Sequence, residues 1–396
     1  MTTTLPRNCR RVVVHFPGFE PLDAQAHHAR YAYSATQSGA AFGFAVETKG
    51  LNAIGDGPCF DVFAKGPNWS TLSSIYLLGH QEIIAGLKGA PIHQRIVDGF
   101  SAAADTLAEG AFSRYLKVAW RFALFFLFPF LAMAVGLIVF GFIAAVPLTF
   151  GMTLWNLLWS VPLSIGFFAA IFLPWAERAY ILHLFAHWQL AIKLSRLDDD
   201  DVRALLESHT ATLKAALEQP ADEYLITSHS LGGAFAIHAL GELIERHPDA
   251  IRGKSVSLAT LAGPGLQSSL MNSAVMLRRR IRSVLVHPDV FWLDVQCLAD
   301  IVNFYQGKVA QDNGFADLPE PAVKQIRMKD MLHPDRYRRI KWDSLRLHRQ
   351  FILGSDLPTH YDFTLLTAGP FTVREIAGFV PGFLPPMSTD GAFYLP

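Results

Sequence analysis

Along the chain, short apolar runs alternate with longer stretches whose apolar residues recur at helical spacing, and in one place polar residues give out altogether. Arg10-Arg11-Val12-Val13-Val14-His15-Phe16 is a β-branched run ending at Pro17-Gly18, which predicts a buried strand entering a tight turn. Residues 24–38, rich in Ala and poor in breakers, predict a helix, and 42–48 predict the next strand. Residues 68–116 are expected to be mostly helical, with breaks near Gly66-Pro67 and Gly89-Ala90-Pro91. Further on, 197–218 reads as a long helix whose acidic start, Asp198 to Asp201, suits the positive end of a helix. Strands are expected at 223–227, 255–261 and 290–297, separated by helices at 231–246 and 270–286. His247-Pro248-Asp249 and His287-Pro288-Asp289 read as helix stops that feed the following strands. Such alternation implies an α/β class with a doubly wound, mostly parallel sheet.

The uncharged stretch interrupts that pattern. From Phe122 to Ala176 there is no Asp, Glu, Lys or Arg, a run of 55 residues. A spanning helix takes about 20 apolar residues, so the run holds two spans, 122–146 and 153–175. The link 147–152 contains Pro and Gly, which end helices. The expected unit is an inserted transmembrane hairpin, 119–178, that divides the soluble domain into 1–118 and 179–396. Trp120 and Trp175 then meet at one interface, with Trp155 and Trp159 near the other. Arg114, Lys117 and Arg121 precede the hairpin and Arg178, Lys193 and Arg196 follow it, while the link has no positive charge. That bias puts both soluble parts in the cytoplasm. A helical pair buried in a soluble core would need cover on every side, and an in-plane hairpin would carry a charged face.

Composition agrees with a membrane segment: 51% of residues are hydrophobic and 17% charged. Lys plus Arg and Asp plus Glu are balanced at 34 each, so no overall field favours nucleic acid. Cys9, Cys59 and Cys297 are far apart, with neither metal-ligand spacing nor an even number for pairing, as in a reducing compartment. Met1 to Arg10 has no apolar core, so no cleavable signal peptide is expected. Consecutive aspartates do not converge on one helical face, so Asp198 to Asp201 is read as a solvated cap. No metal or cofactor is expected.

The strongest chemical signal is Ser228-His229-Ser230-Leu231-Gly232-Gly233, set between a strand and an amphipathic helix. A serine is a weak nucleophile unless it is held exposed beside a base, and a sharp strand-to-helix elbow with small flanking residues does this. Phosphate-binding turns are also Ser- and Gly-rich, but Gly-x-Gly-x-x-Gly and a P-loop lysine are both missing. On these residues the chain resembles the α/β-hydrolase superfamily, in particular its lipase-like members whose elbow reads Ser-His-Ser-Leu-Gly-Gly. Ser228 stands where the general pattern has glycine.

The resemblance implies a nucleophile at Ser230, followed along the chain by an acid and then a histidine. The acid is expected just past the strand after Asp289. Asp300 in Ala299-Asp300-Ile301-Val302 resembles the Asp-x-Val of lipases, with Asp294 and Asp289 as alternatives. The base is placed at His348, with His360 as the alternative; His333 reads as a boundary residue and His15 as structural. The family's oxyanion hole uses the N–H after the nucleophile, here Leu231, and one from the loop after an early strand. Pro17 has no N–H to offer, which points to Phe19. The implied activity is that of a membrane-anchored serine hydrolase cleaving a lipid or other amphiphilic ester. The competing expectation is an inactive scaffold of the same fold.

Overall fold

The computed structural model describes residues 7–54, 57–263 and 265–394. Residues 1–6, within the segment read as lacking a signal peptide, lie outside the described residues.

The strands are β1 (Arg7–Phe16), β2 (Ala45–Thr48), β3 (Asn52–Ile54), β4 (Gly57–Gly66), β5 (Trp69–Leu77), β6 (Glu223–His229), β7 (Val256–Leu261), β8 (Val290–Cys297) and β9 (Ala322–Ile326). They form one mixed sheet in the order β2-β4-β5-β1-β6-β7-β8-β9, with β3 paired to β4. From β5 through β1 and β6 to β9 all neighbours are parallel, while β2, β3 and β5 run antiparallel to β4. Strand β1, from before the two apolar helices, pairs directly with β6, from after them, so the parts of the chain on either side build the same sheet.

Alternation along β1 shows why these residues form a two-faced strand. Val12, Val14 and Phe16 enter one hydrophobic core and Val13 the other, as a period of two requires. Helices Ile181–Arg196, Asp200–Glu218 and Gly232–Arg246 cover the first face; Ala24–Phe42 and Phe363–Ala368 cover the second. At the amino end of the central strands, Arg11 and Glu223 form a fully buried ion pair at 2.8 Å. The Arg11 guanidinium also donates to the carbonyls of Gly369 and Phe371, and Glu223 accepts from the Val373 N–H at 2.9 Å. Every charge in this group has a partner.

The expectation that 68–116 is mostly helical is overturned. Residues Trp69–Leu77 are a strand in a β4–β5 hairpin turning at Pro67-Asn68, and helix begins only at Gln81. Trp69, Thr71, Ser73, Ile75 and Leu77 all point inward, and the hydroxyls of Thr71 and Ser73 are satisfied by the carbonyls of Gly369 and Thr367. Two buried hydroxyls therefore mask an ordinary strand alternation.

Two helices are long and apolar enough to cross a membrane, Trp120–Thr149 and Leu154–Arg178, with mean hydropathies of 2.6 and 1.9. The first extends past the expected stop, taking Pro147 into its final turn, and the reversal falls at Phe150 to Thr153, where Gly151 has φ 64°. The second contains one π turn at Phe168–Phe172. The two halves of the first helix differ in surroundings. In the first half one face, with Phe122, Phe126 and Phe130, is buried against helices of the sheet domain while Leu124 and Leu131 are exposed, whereas in the second half Val135, Ile138 and Phe142 are exposed.

Candidate active site

Ser230 follows β6 immediately, at the carboxyl edge of the parallel strands, where open α/β sheets place their binding crevices. Its φ is 53°, a left-handed conformation that costs energy for a residue with a Cβ. The conformation is held by the Ser230 N–H donating to Leu261 O and the Gly233 N–H donating to Ser230 O, both at 2.9 Å. A Cβ on Gly232 would lie 2.4 Å from the carbonyl oxygens of Phe16 and Pro17, and one on Gly233 would lie 2.5 Å from Gly263 O. The end of β1 thus passes directly against Gly232 and the loop after β7 against Gly233, which explains why both positions are glycine. Helix Gly232–Arg246 starts at once, so its positive end lies beside Ser230.

The imidazole of His348, in the short helix Ser344–Arg349, donates from Nδ1 to Asp300 Oδ2 at 2.6 Å. Asp300 is buried in the loop after β8, and its other oxygen accepts the Val302 N–H at 2.9 Å. With its proton on Nδ1, a neutral His348 presents a lone pair at Nε2. That atom is buried and has no hydrogen-bond partner among the described residues. Ser230 and His348 line one cavity of about 40 Å3, which also touches Phe19, His183 and Val302. The arrangement supplies a strained hydroxyl, an unengaged basic nitrogen and a carboxylate that fixes the ring's tautomer.

Phe19 is buried in the loop after β1, its ring packed edge-on against His183 and His187 at 5.0 and 5.3 Å between centroids. Leu231 is the residue preceding the elbow helix. Among the described residues, the N–H groups of Phe19 and Leu231 donate to no acceptor. Free backbone donors flanking a nucleophile are what a developing oxyanion requires.

The chain matches no family model. It also has no significant match among curated proteins or solved structures.

The other sequence candidates lie elsewhere. The His360 ring is hydrogen-bonded to Gln325 O at 3.0 Å, and His333 is exposed near Asp335. Asp294, within β8, accepts from Thr260 and Gln296, and burial pushes its carboxyl up to about 6. Asp289 accepts from the Gly253 N–H at 3.3 Å. His15 is tied to Thr227 Oγ1 at 2.9 Å and is kept neutral by burial. Asp199, within the acidic run, caps the helix Asp200–Glu218 by accepting the Val202 N–H.

Two residues next to the site carry no sequence signal for their roles. His229 bonds through Nε2 to the His348 carbonyl at 3.0 Å and packs on the His348 ring at 4.6 Å. Burial, and then the neighbouring His348, hold its pKa well below the ordinary value, so it is a neutral brace. Glu20 pairs with Arg30 at 2.6 Å and with Arg349 at 2.8 Å. Burial alone would raise the Glu20 carboxyl, but the Arg30 and Arg349 guanidinium groups bring it down to about 2. The loop after β1 is thereby tied to the residue next to His348.

Proposed function

We propose that this protein is a membrane-anchored serine hydrolase of the α/β-hydrolase type that cleaves an ester of a lipid or other amphiphile. The observation that carries the reading is the His348–Asp300 pair at 2.6 Å: His348, its Nε2 unpartnered, lines the same cavity as Ser230 in its left-handed conformation. Ser230 Oγ attacks the ester carbonyl while His348 Nε2 accepts its proton, and Asp300 stabilises the imidazolium that results. The N–H groups of Leu231 and Phe19 bind the oxyanion. As the tetrahedral species collapses, the alkoxide leaves with the proton from His348. Water, deprotonated by the same nitrogen, then hydrolyses the acyl-enzyme.

The helices Trp120–Thr149 and Leu154–Arg178 cross the membrane as a hairpin, with the sheet domain on the cytoplasmic side. Exposed apolar side chains on their outer halves and the positive charges flanking their roots support this topology. A site at the root of such a hairpin can take its substrate from the bilayer without passage through water. Reaction of the detergent-solubilised chain with a fluorophosphonate probe tests the reading. Labelling of wild type, lost in Ser230→Ala, is expected; a folded wild-type protein left unlabelled leaves only the inactive scaffold.

A further inference from the structure

We propose that the apolar groove at the root of the hairpin holds the acyl chain of the ester cleaved at Ser230, entering sideways from the adjoining membrane leaflet; this rests on the hydrolase reading. The groove has a volume of about 690 Å3, within the range of about 300–1,000 Å3 common for ligand sites. Leu124, Phe125 and Phe128 form one wall, and Leu184, Trp342 and Leu345 the other.

Size argues first for this division of labour. The cavity at Ser230 measures about 40 Å3, against about 690 Å3 for the groove. Of the two compartments, the groove is the one with room for a long alkyl chain. The groove adjoins the first, because Phe125, Leu184 and Leu345 line both. Ile301, between Asp300 and Val302, also faces the groove.

Polarity and depth give the occupant its chemistry. Apart from Arg121, Arg178, Asp343 and Ser344, the side chains along the groove are apolar or aromatic. Trp120 and Trp342 flank it while 58% and 86% exposed, a poor arrangement in water and a favourable one between headgroups and hydrocarbon. A hydrocarbon core of about 30 Å takes about 20 helical residues. Counted back from Phe150 at the reversal, those residues end near Phe130. The groove, bounded by Trp120 to Phe128, then lies in the interfacial layer, where an acyl chain can slide in while its ester stays near the headgroups. The segment that carries Trp342 and Leu345 also carries His348.

The test compares hydrolysis of p-nitrophenyl palmitate and butyrate by the full chain in detergent. Leu124→Trp fills the groove, and Ile138→Trp, on the exposed outer half of the same helix, is its control. We expect Leu124→Trp to lower the palmitate-to-butyrate ratio of kcat/KM by about tenfold or more, the loss from returning two methylenes to water. Ile138→Trp is expected to leave the ratio unchanged. Fluorophosphonate labelling of Ser230 in Leu124→Trp reports whether its site still folds. A diazirine-bearing palmitate gives a readout that needs no turnover: in Ser230→Ala, adducts are expected at 120–128 and 342–345 and are expected to fall in the doubly substituted Leu124→Trp protein. Labelled Ser230 with an unmoved ratio, or adducts confined to 135–171, overturns the groove proposal alone. A folded wild type that the fluorophosphonate does not label overturns the hydrolase reading, and this proposal with it.

Discussion

The two ends of the central strands are built on opposite principles. At the amino end of β1 and β6, Arg11 and Glu223 are removed from water and every charged atom is answered by an ion pair or backbone group. At the carboxyl end of the same strands polar atoms are left open: among the described residues, His348 Nε2 and His229 Nδ1 are buried without partners and the N–H groups of Phe19 and Leu231 donate to no acceptor. A buried unsatisfied polar group costs about 1–3 kcal/mol, so the carboxyl end is the more costly of the two to build. On the hydrolase reading proposed above, the satisfied end serves stability and the open end serves chemistry.

Substitutions at the two ends should therefore separate activity from stability. The largest effect is expected for Ser230→Ala, which removes the nucleophile: ester hydrolysis should fall by about 10^4 to 10^6-fold, with the thermal midpoint nearly unchanged because alanine inherits the same backbone strain. Steady-state kinetics beside a melting curve would check both. Asp300→Asn should cost about 10^4 in kcat/KM by releasing the His348 tautomer, whereas Asp294→Asn should leave kcat/KM within a few-fold. Equal losses in that pair would mean that the acid has been assigned to the wrong carboxylate. At the satisfied end, Glu223→Ala strands the Arg11 guanidinium and should cost about 3–5 kcal/mol of stability. The labelling rate per folded molecule should not change; a proportional loss of that rate would erase the contrast between the ends.

How far the sequence foretold this arrangement depends on the range of the forces involved. The elbow was legible because its sequence signature is local, a strand, a serine and two glycines in one short run, although the groups that press on those glycines, Phe16, Pro17 and Gly263, come from elsewhere in the chain. The paired helices were legible because 55 residues without charge leave few alternatives. Hydropathy could not divide the first helix into its protein-covered and exposed halves, since Phe126 and Phe142 are equally apolar in either setting. Strand β5 was misread because buried Ser73 and Thr71 find acceptors in a segment nearly 300 residues away. The bond from His229 to His348 and the pairing of Glu20 with Arg349 join residues remote in sequence, and no spacing announces them.

Glu20 gives the smallest of these effects and probes the seam between the two kinds of design. It is an ionised, fully paired group like those at the amino end, yet it lines the cavity at the carboxyl end. Its folded-state carboxyl titrates near 2 against an ordinary value of 4.5, because the Arg30 and Arg349 guanidinium groups outweigh the penalty of burial. A depressed acid stabilises the fold fully above about pH 4.5, and that contribution drains away as pH falls through about 2. The displacement corresponds to at most about 3 kcal/mol. Unfolding free energies of wild type and Glu20→Gln, measured between pH 6 and 2, should therefore differ most at the upper end and converge toward the lower. Because Arg349 adjoins His348, the variant should also label more slowly with fluorophosphonate at pH 6 while its exposed ion pairs are unaffected. A stability difference that stays constant across this range would mean that Glu20 acts by packing rather than charge. A difference that follows the titration with labelling unmoved would place the clamp wholly with the stabilising end of the strands.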